Sequence, residues 1–310
     1  MKSVKVIGIF MLLVCVSGNA IFAQRVLIIG LDGFGAEGYK MAKHPNIDAL
    51  VADGVLSLTT RPVMPSVTMP NWTSHLSGAG PEEHGVVNNN WTIDKHDLPP
   101  IEADKEGFYP SVFKLLKDQV PDLKTAFYYN WANLIKSFNQ KYLDETSFED
   151  NYGFTGNYQK AYDFMVKNQK EPTMVFLYTV HIDHAGHDHK WLSPQYITAI
   201  EEADVAIGKL MNQLKAENLY HDTHFLLISD HGGIPTGHGG VSMSEMQVPW
   251  GATGPQINHL GLVDYPNSNK NTSLVVANIF GLKEVPNSWS GVLPELILKK
   301  KNKKLKKYFR

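Results

Sequence analysis

The sequence predicts an α/β fold: a mainly parallel central sheet with helices on both faces. Three observations carry this. Short β-branched and apolar runs recur along the chain, two of them end in an aspartate, and segments of helical spacing lie between them. RVLIIGLDG, residues 25–33, has the composition of a buried parallel strand that delivers a carboxylate to the sheet edge. PNIDALVADG follows, with Pro45 as its start signal, Gly54 as its stop, and Ile47, Leu50 and Val51 on one helical face. LKTAFYY reads as a strand, and TMVFLYTV, residues 173–180, as a stronger one. In SPQYITAIEEADVAIGKLMNQLKAE, Ser193 is placed to cap and Pro194 to occupy the first helical position. Ile197, Ile200, Ala203, Ile207, Leu210 and Leu214 then keep helical spacing. THFLLISD is a further buried strand ending in aspartate.

With 310 residues, 43% hydrophobic and 19% charged, the chain has ample material for a core. A prior of roughly 150 residues per domain allows two domains. One large α/β domain over residues 24–298 fits as well, with an insertion or cap at about 88–169, where the pattern loosens around Pro99-Pro100. The formal net charge of -2 supplies no global field, so a nucleic-acid duplex is not an expected partner. Lys2 and Lys5 precede the apolar run VIGIFMLLVCVSG and then IFAQ, which reads as a signal peptide over residues 1–23 with cleavage after Ala23. The run is short of the ~20 residues a membrane span needs, so the expectation is a secreted or periplasmic protein. The single cysteine, Cys15, lies inside that run, and Val14 before it argues against a lipoprotein. The mature chain therefore has no thiol, and any metal must be held by His, Asp, Glu or hydroxyls. KKKNKKLKKYFR, residues 299–310, reads as a solvated basic tail, with weak attraction to a membrane or envelope polymers as the sharper alternative.

Three strands release chemistry at their carboxyl ends: Asp32 in LDGF, Asp183 in HIDHAGH, and Asp230-His231 in ISDHGG. Open α/β sheets place their sites there. His187 follows four residues after Asp183, and His238 sits in TGHGG. Each of these residues alone has an ordinary explanation as a cap or a hydrogen-bonded core group. Together they offer the carboxylate oxygens and imidazole nitrogens that a divalent metal requires. Nearby, MPSVTMPNWTSHLSG, residues 64–78, has neither clean helical nor clean strand periodicity and is not composed like a core element. It holds Thr68 between the stiff residues Pro65 and Pro70, which reduces the cost of positioning that hydroxyl.

LDGF, PSVTMPN, GPEEHG, DHAGH, SDHG and GHGG occur in the order found in the alkaline phosphatase superfamily. Within it, the chain resembles the type I phosphodiesterase/nucleotide pyrophosphatase branch over roughly residues 25–289. The resemblance implies an alkaline phosphatase-like fold and a hydrolase of phosphoric esters, with a small-molecule or lipid phosphate ester as substrate. It further implies two zinc ions per chain. One would be bound by Asp183, His187 and His238, the other by Asp32, Asp230, His231 and the Thr68 oxygen. Thr68 would be the nucleophile, forming a covalent phospho-threonine intermediate, and Asn71 would help hold a phosphoryl oxygen. A free threonine hydroxyl is a poor nucleophile, and zinc, which lowers the pKa of bound water to about 7, would correct that.

The chain departs from the branch in three ways: Gly35 replaces a frequent basic residue, Trp72 replaces a smaller or different side chain, and the chain is shorter. These bear on nucleotide specificity rather than on metal chemistry. Trp72, Trp91, Trp131, Tyr128, Tyr129 and Phe34 are candidates for a leaving-group pocket or, equally, for packing. Asn71, a neutral donor, suits a diester. A phosphomonoesterase or phosphonate hydrolase on the same metals, and a metal-stabilised binding module without turnover, are the alternatives. A sulfatase is disfavoured because no Cys/Ser-x-Pro-x-Arg motif occurs.

Overall fold

The computed structural model describes residues 24–150, 153–235 and 237–300. The expected signal peptide and all but the first two residues of the basic tail lie outside them. Eight strands form one sheet: β1 (Arg25–Leu31), β2 (Gly54–Thr60), β3 (Lys124–Tyr129), β4 (Glu145–Phe148), β5 (Thr173–Thr179), β6 (Thr223–Ile228), β7 (Val248–Thr253) and β8 (Gly261–Leu262). Their order is β4-β3-β5-β1-β6-β7-β2-β8. All neighbours pair in parallel except at β7, which is antiparallel to both β6 and β2.

The helices are α1 (Ala36–Met41), α2 (Pro45–Ala52), α3 (Thr68–Ser77), α4 (Pro81–His84), α5 (Val112–Gln119), α6 (Thr155–Lys167), α7 (His181–His189), α8 (Pro194–Ala216), α9 (Met243–Met246) and α10 (Thr272–Phe280). Alternate residues of β1 feed two cores. Leu27, Ile29 and Leu31 join side chains of α2, α6 and α8, whereas Val26 and Ile28 join those of α3, α5 and α10. A central strand covered on both faces has no solvent side to keep polar, which is why β1 reads as an unbroken apolar run. The expected α8 cap is present, with Ser193 Oγ accepting from the Tyr196 N–H at 3.2 Å. Among the described residues, no helix is long and apolar enough to cross a membrane.

Residues 64–78 correct the expectation that they avoid the core. Thr68–Ser77 is a helix, and all ten of its residues are buried. A helix enclosed on every side has no polar stripe, so it lacks the amphipathic period that identifies helices in sequence. Its hydroxyls are satisfied locally: Thr73 Oγ1 donates to the Met69 carbonyl at 2.7 Å and Ser74 Oγ to the Pro70 carbonyl at 2.9 Å. Pro70 falls in the first turn, where no intrahelical N–H is needed. Gly78, at φ 64, ends the helix in the left-handed conformation.

Within residues 88–169 the chain adds β3 and β4 to one side of the sheet and α5 and α6 to its two faces. The irregular stretch before α5 packs Trp91 and Phe108 with Met69 and Val86, beside the start of α3.

Candidate metal centre

The carboxyl ends of β1, β5 and β6 converge on one buried cluster. Asp32 directly follows β1, Asp230 and His231 follow β6, and Asp183 lies in the first turn of α7, the helix that leaves β5. Asp32, Asp230 and His231 bring one ligand atom each to within 4.8 Å of one another, and so do Asp183, His231 and His238. His231 Nε2 is the hub. It lies 3.1 Å from Asp230 Oδ2, 3.5 Å from Asp32 Oδ1 and 3.3 Å from Thr68 Oγ1. Asp183 reaches both remaining histidines, with Oδ2 3.5 Å from His187 Nε2 and Oδ1 3.7 Å from His238 Nε2. The spacing of four places Asp183 and His187 on one face of α7. His187 forms the solvent edge of the cluster, whereas Asp32, Asp230 and His231 are wholly enclosed.

Surrounding groups orient these ligand atoms. His231 Nδ1 donates to the Gly232 carbonyl and His238 Nδ1 to the Ser66 carbonyl, both at 2.9 Å. Each ring therefore turns an unprotonated Nε2 toward the carboxylates, as a metal-ligating histidine must. Gly33 N–H donates to Asp230 Oδ1 at 3.1 Å. The opposite oxygen of Asp230 and the inner oxygens of Asp32 and Asp183 are buried without a hydrogen-bond partner. Orphans of this kind in two adjoining groups that share His231 are costly unless cations complete them, so the residues fit a divalent metal centre.

Burial, followed by the charges of neighbouring carboxylates, pushes Asp183 and Asp230 well above the usual carboxylate range. Asp32 rises to about 6, chiefly through burial, against hydrogen bonds from Tyr178 and Trp72 that hold it down. Burial likewise holds His231, His238 and His187 below the ordinary imidazole value. The cluster thus consists of neutral imidazoles and mutually repelling carboxyls, the arrangement that a cation relieves.

Asn71 sits differently from expectation. It is fully buried, its amide nitrogen donates to the carbonyls of Val63, Pro65 and Val67, and its oxygen accepts from Val63 N–H and Asn269 Nδ2. With both N–H groups engaged by the loop, it braces residues 63–67 and has no donor left for a phosphoryl oxygen. Asn89, which sequence reasoning missed, is the amide beside Thr68. Its Oδ1 accepts from the Met69 N–H at 2.8 Å, one residue past Thr68. No local period marks Asn89, because only packing against α3 brings it there.

Trp191 was also missed. It packs edge-on to His187 at 4.9 Å and to His238 at 5.8 Å, and its ring lies where a Cβ on Gly186 or Gly233 would be. The glycines beside the histidines were its trace in the sequence. Glu245 anchors the His238 loop by accepting from Gly240 N–H, Ser242 N–H and Ser242 Oγ, and the S-x-x-E spacing of a capping box announces it. Of the proposed pocket aromatics, Phe34, Trp72 and Tyr128 are enclosed in the cores and Trp91 is buried against Met69 and Val86. Those four are enclosed rather than lining a pocket, since large apolar rings gain most by leaving water altogether. Tyr129 and Trp131 are half-buried at the edge of the second core.

Residues 26–250 match the family profile described as type I phosphodiesterase / nucleotide pyrophosphatase. An uncharacterised pyrophosphatase/phosphodiesterase of Schizosaccharomyces pombe is 25% identical over 231 residues, which cover 71% of this chain and 47% of that protein. Human ectonucleotide pyrophosphatase/phosphodiesterase family member 1 is 28% identical over 214 residues, 66% of this chain and 23% of that one. The matched region thus spans about half or less of the length of these curated relatives. The solved structure of murine ectonucleotide pyrophosphatase/phosphodiesterase 5 superposes with a TM-score of 0.74 over 89% of this chain and 100% of its own, at 15% identity. An inactive form of that protein in complex with AMP gives 0.73 at 14% identity. The fold is alkaline phosphatase-like, and the chain belongs to the type I phosphodiesterase/nucleotide pyrophosphatase family.

Proposed function

We propose that the protein is a secreted two-zinc hydrolase of phosphoric esters that works through a phospho-threonine intermediate and prefers diesters. The observation that carries this is the set of orphaned carboxylate oxygens on Asp32, Asp183 and Asp230, gathered with histidine Nε2 atoms beside the Thr68 hydroxyl. Asp183, His187 and His238 would hold one zinc, and Asp32, Asp230, His231 and the Thr68 oxygen the other. Zinc there would supply Lewis acidity at the attacking and phosphoryl oxygens. Thr68 Oγ1 attacks phosphorus while the bond to the leaving-group oxygen breaks and that oxygen takes up a proton. Water then attacks the phospho-threonine, releasing phosphate or its monoester and restoring the hydroxyl. Thr68 opens α3, so the positive end of the helix dipole also faces the substrate's anionic oxygens. Asn89 supplies the neutral donor for one of them. Asn71 holds the loop that aims Thr68.

The domain is proposed to run from residue 24 to 298, with export directed by residues 1–23 and the tail at 299–310 lending a weak attraction to anionic surfaces. Small-molecule or lipid phosphate esters are the proposed substrates. Elemental analysis paired with turnover of a chromogenic diester and its monoester tests the reading. Near two zinc ions per chain and faster diester cleavage are expected. Active protein free of transition metal would overturn the metal assignment, and faster monoester cleavage would overturn the diester preference. Zinc without turnover of either ester would leave a binding module.

A further inference from the structure

Asp32 is held in place by two donors from outside the cluster. The Tyr178 hydroxyl and the Trp72 Nε1–H, the latter at 3.3 Å, both donate to Oδ2, while Oδ1 has no hydrogen-bond partner. The two donors reach it from different elements. Tyr178 stands next to last in β5, paired with Gly30 of β1, and Trp72 stands one helical turn after Thr68 on α3. Their rings meet edge to face at 5.4 Å and 89°, which fixes both at once. Room for the indole depends on Gly30, where a Cβ would lie 2.7 Å from the Trp72 ring. Asp32, Tyr178 and Trp72 are all fully enclosed, so water cannot replace either donor.

We propose that Tyr178 and Trp72 are positioning residues that occupy one oxygen of Asp32 and leave the other as a one-oxygen metal ligand. Through Trp72, they also tie that ligand to the helix carrying Thr68. This rests on the two-metal reading above. A carboxylate free to rotate could offer both oxygens or turn one away. With Oδ2 committed to two donors, Oδ1 is the oxygen that approaches His231 Nε2, at 3.5 Å. Partners of this kind typically contribute 10–100-fold to metal affinity. They touch neither substrate nor reacting atoms, so their effect appears in the metal site before it appears in turnover.

The test is a zinc titration of chelator-stripped protein against a chromophoric competitor, on the full mature chain. Wild type is expected to bind two equivalents. Tyr178→Phe, which deletes one hydroxyl and little volume, should keep one site and weaken the other roughly 10–100-fold. Trp72→Phe should act in the same direction; where that larger change prevents folding, Tyr178→Phe decides alone. Melting temperature is measured with chelator and with zinc. Loss of positioning shrinks the zinc-induced rise, whereas a merely structural role lowers both melting temperatures together. A two-site wild type with a superimposable Tyr178→Phe titration overturns the proposal and leaves the two-metal reading standing. A wild type that binds no zinc overturns both.

Discussion

Thr68 Oγ1 lies 3.3 Å from His231 Nε2, a hydroxyl from the start of α3 against the central nitrogen of the cluster after β6. Nothing local joins them, because they are 163 residues apart. Removing the oxygen tests its role directly. Thr68→Ala should abolish most turnover while costing at most about 1–2 kcal/mol in stability. Thr68→Ser should keep measurable activity. kcat/KM on a chromogenic diester, with Tm and zinc content as controls, checks this. Near wild-type turnover in a folded, metal-loaded Thr68→Ala would remove Thr68 as nucleophile.

Asn71 and Asn89 should separate cleanly. Asn71→Ala leaves buried loop groups without partners, at about 1–3 kcal/mol for each, so Tm should fall markedly. Asn89→Asp keeps the acceptor for the Met69 N–H but deletes the amide donor. Its cost should be about 10²–10³ in rate with little change in Tm. Steady-state kinetics beside thermal melts distinguish the two, and the reverse pattern would restore Asn71 as the phosphoryl donor.

The stability gained from metal should depend on pH. Asp32 rises from 3.8 to about 6, and Asp183 and Asp230 are pushed well above the usual carboxylate range, all chiefly by burial. In stripped protein, raised carboxyls stabilise the fold below the unfolded value, and that contribution is lost as pH climbs through about 6 and beyond. The cluster histidines, held low by burial, oppose this by withdrawing stability as pH falls below 6.5. Metal binding needs ionised carboxyls and neutral imidazoles, so both sets of protons compete with it at low pH. The gap in Tm between zinc-loaded and stripped protein should therefore widen from about pH 5 to pH 8. A gap independent of pH would argue against these ligands.

Gly233→Ala places a Cβ 2.2 Å from the Trp191 ring. The indole must move, and with it the edge contacts to His187 and His238. A loss of about 1–3 kcal/mol is expected from overpacking, with reduced zinc retention. Unchanged zinc retention would show that Trp191 only fills space.

Export makes a separate claim. N-terminal sequencing of active protein from the producing cell should begin near Gln24. An intact Met1 on active cytoplasmic protein would contradict it.

The strands that meet the cluster were legible because a buried parallel strand must be apolar throughout, so RVLIIGL, TMVFLYT and THFLLI stand out against any neighbour. The convergence of Asp32, Asp183, Asp230 and His231 was legible for a related reason: side chains at the ends of neighbouring strands meet at one sheet edge, and those ends can be read locally. The α3 helix was not, since full enclosure erases the period that sequence reading depends on. Nor were Asn89, Trp191 and Tyr178, whose places come from contacts across the fold rather than from spacing along the chain. The different settings of Asn71 and Asn89 have the same origin. Sequence spacing put Asn71 three residues after Thr68, but one helical turn aimed its amide into the loop, and tertiary packing brought Asn89 to the Met69 N–H that follows Thr68. The gathering of these carboxylates and imidazoles could thus be read from residue type and strand position. The orientation of each side chain, and of the groups that hold it, came only from the three-dimensional packing, because a hydrogen bond's direction depends on both partners and the sequence records them far apart.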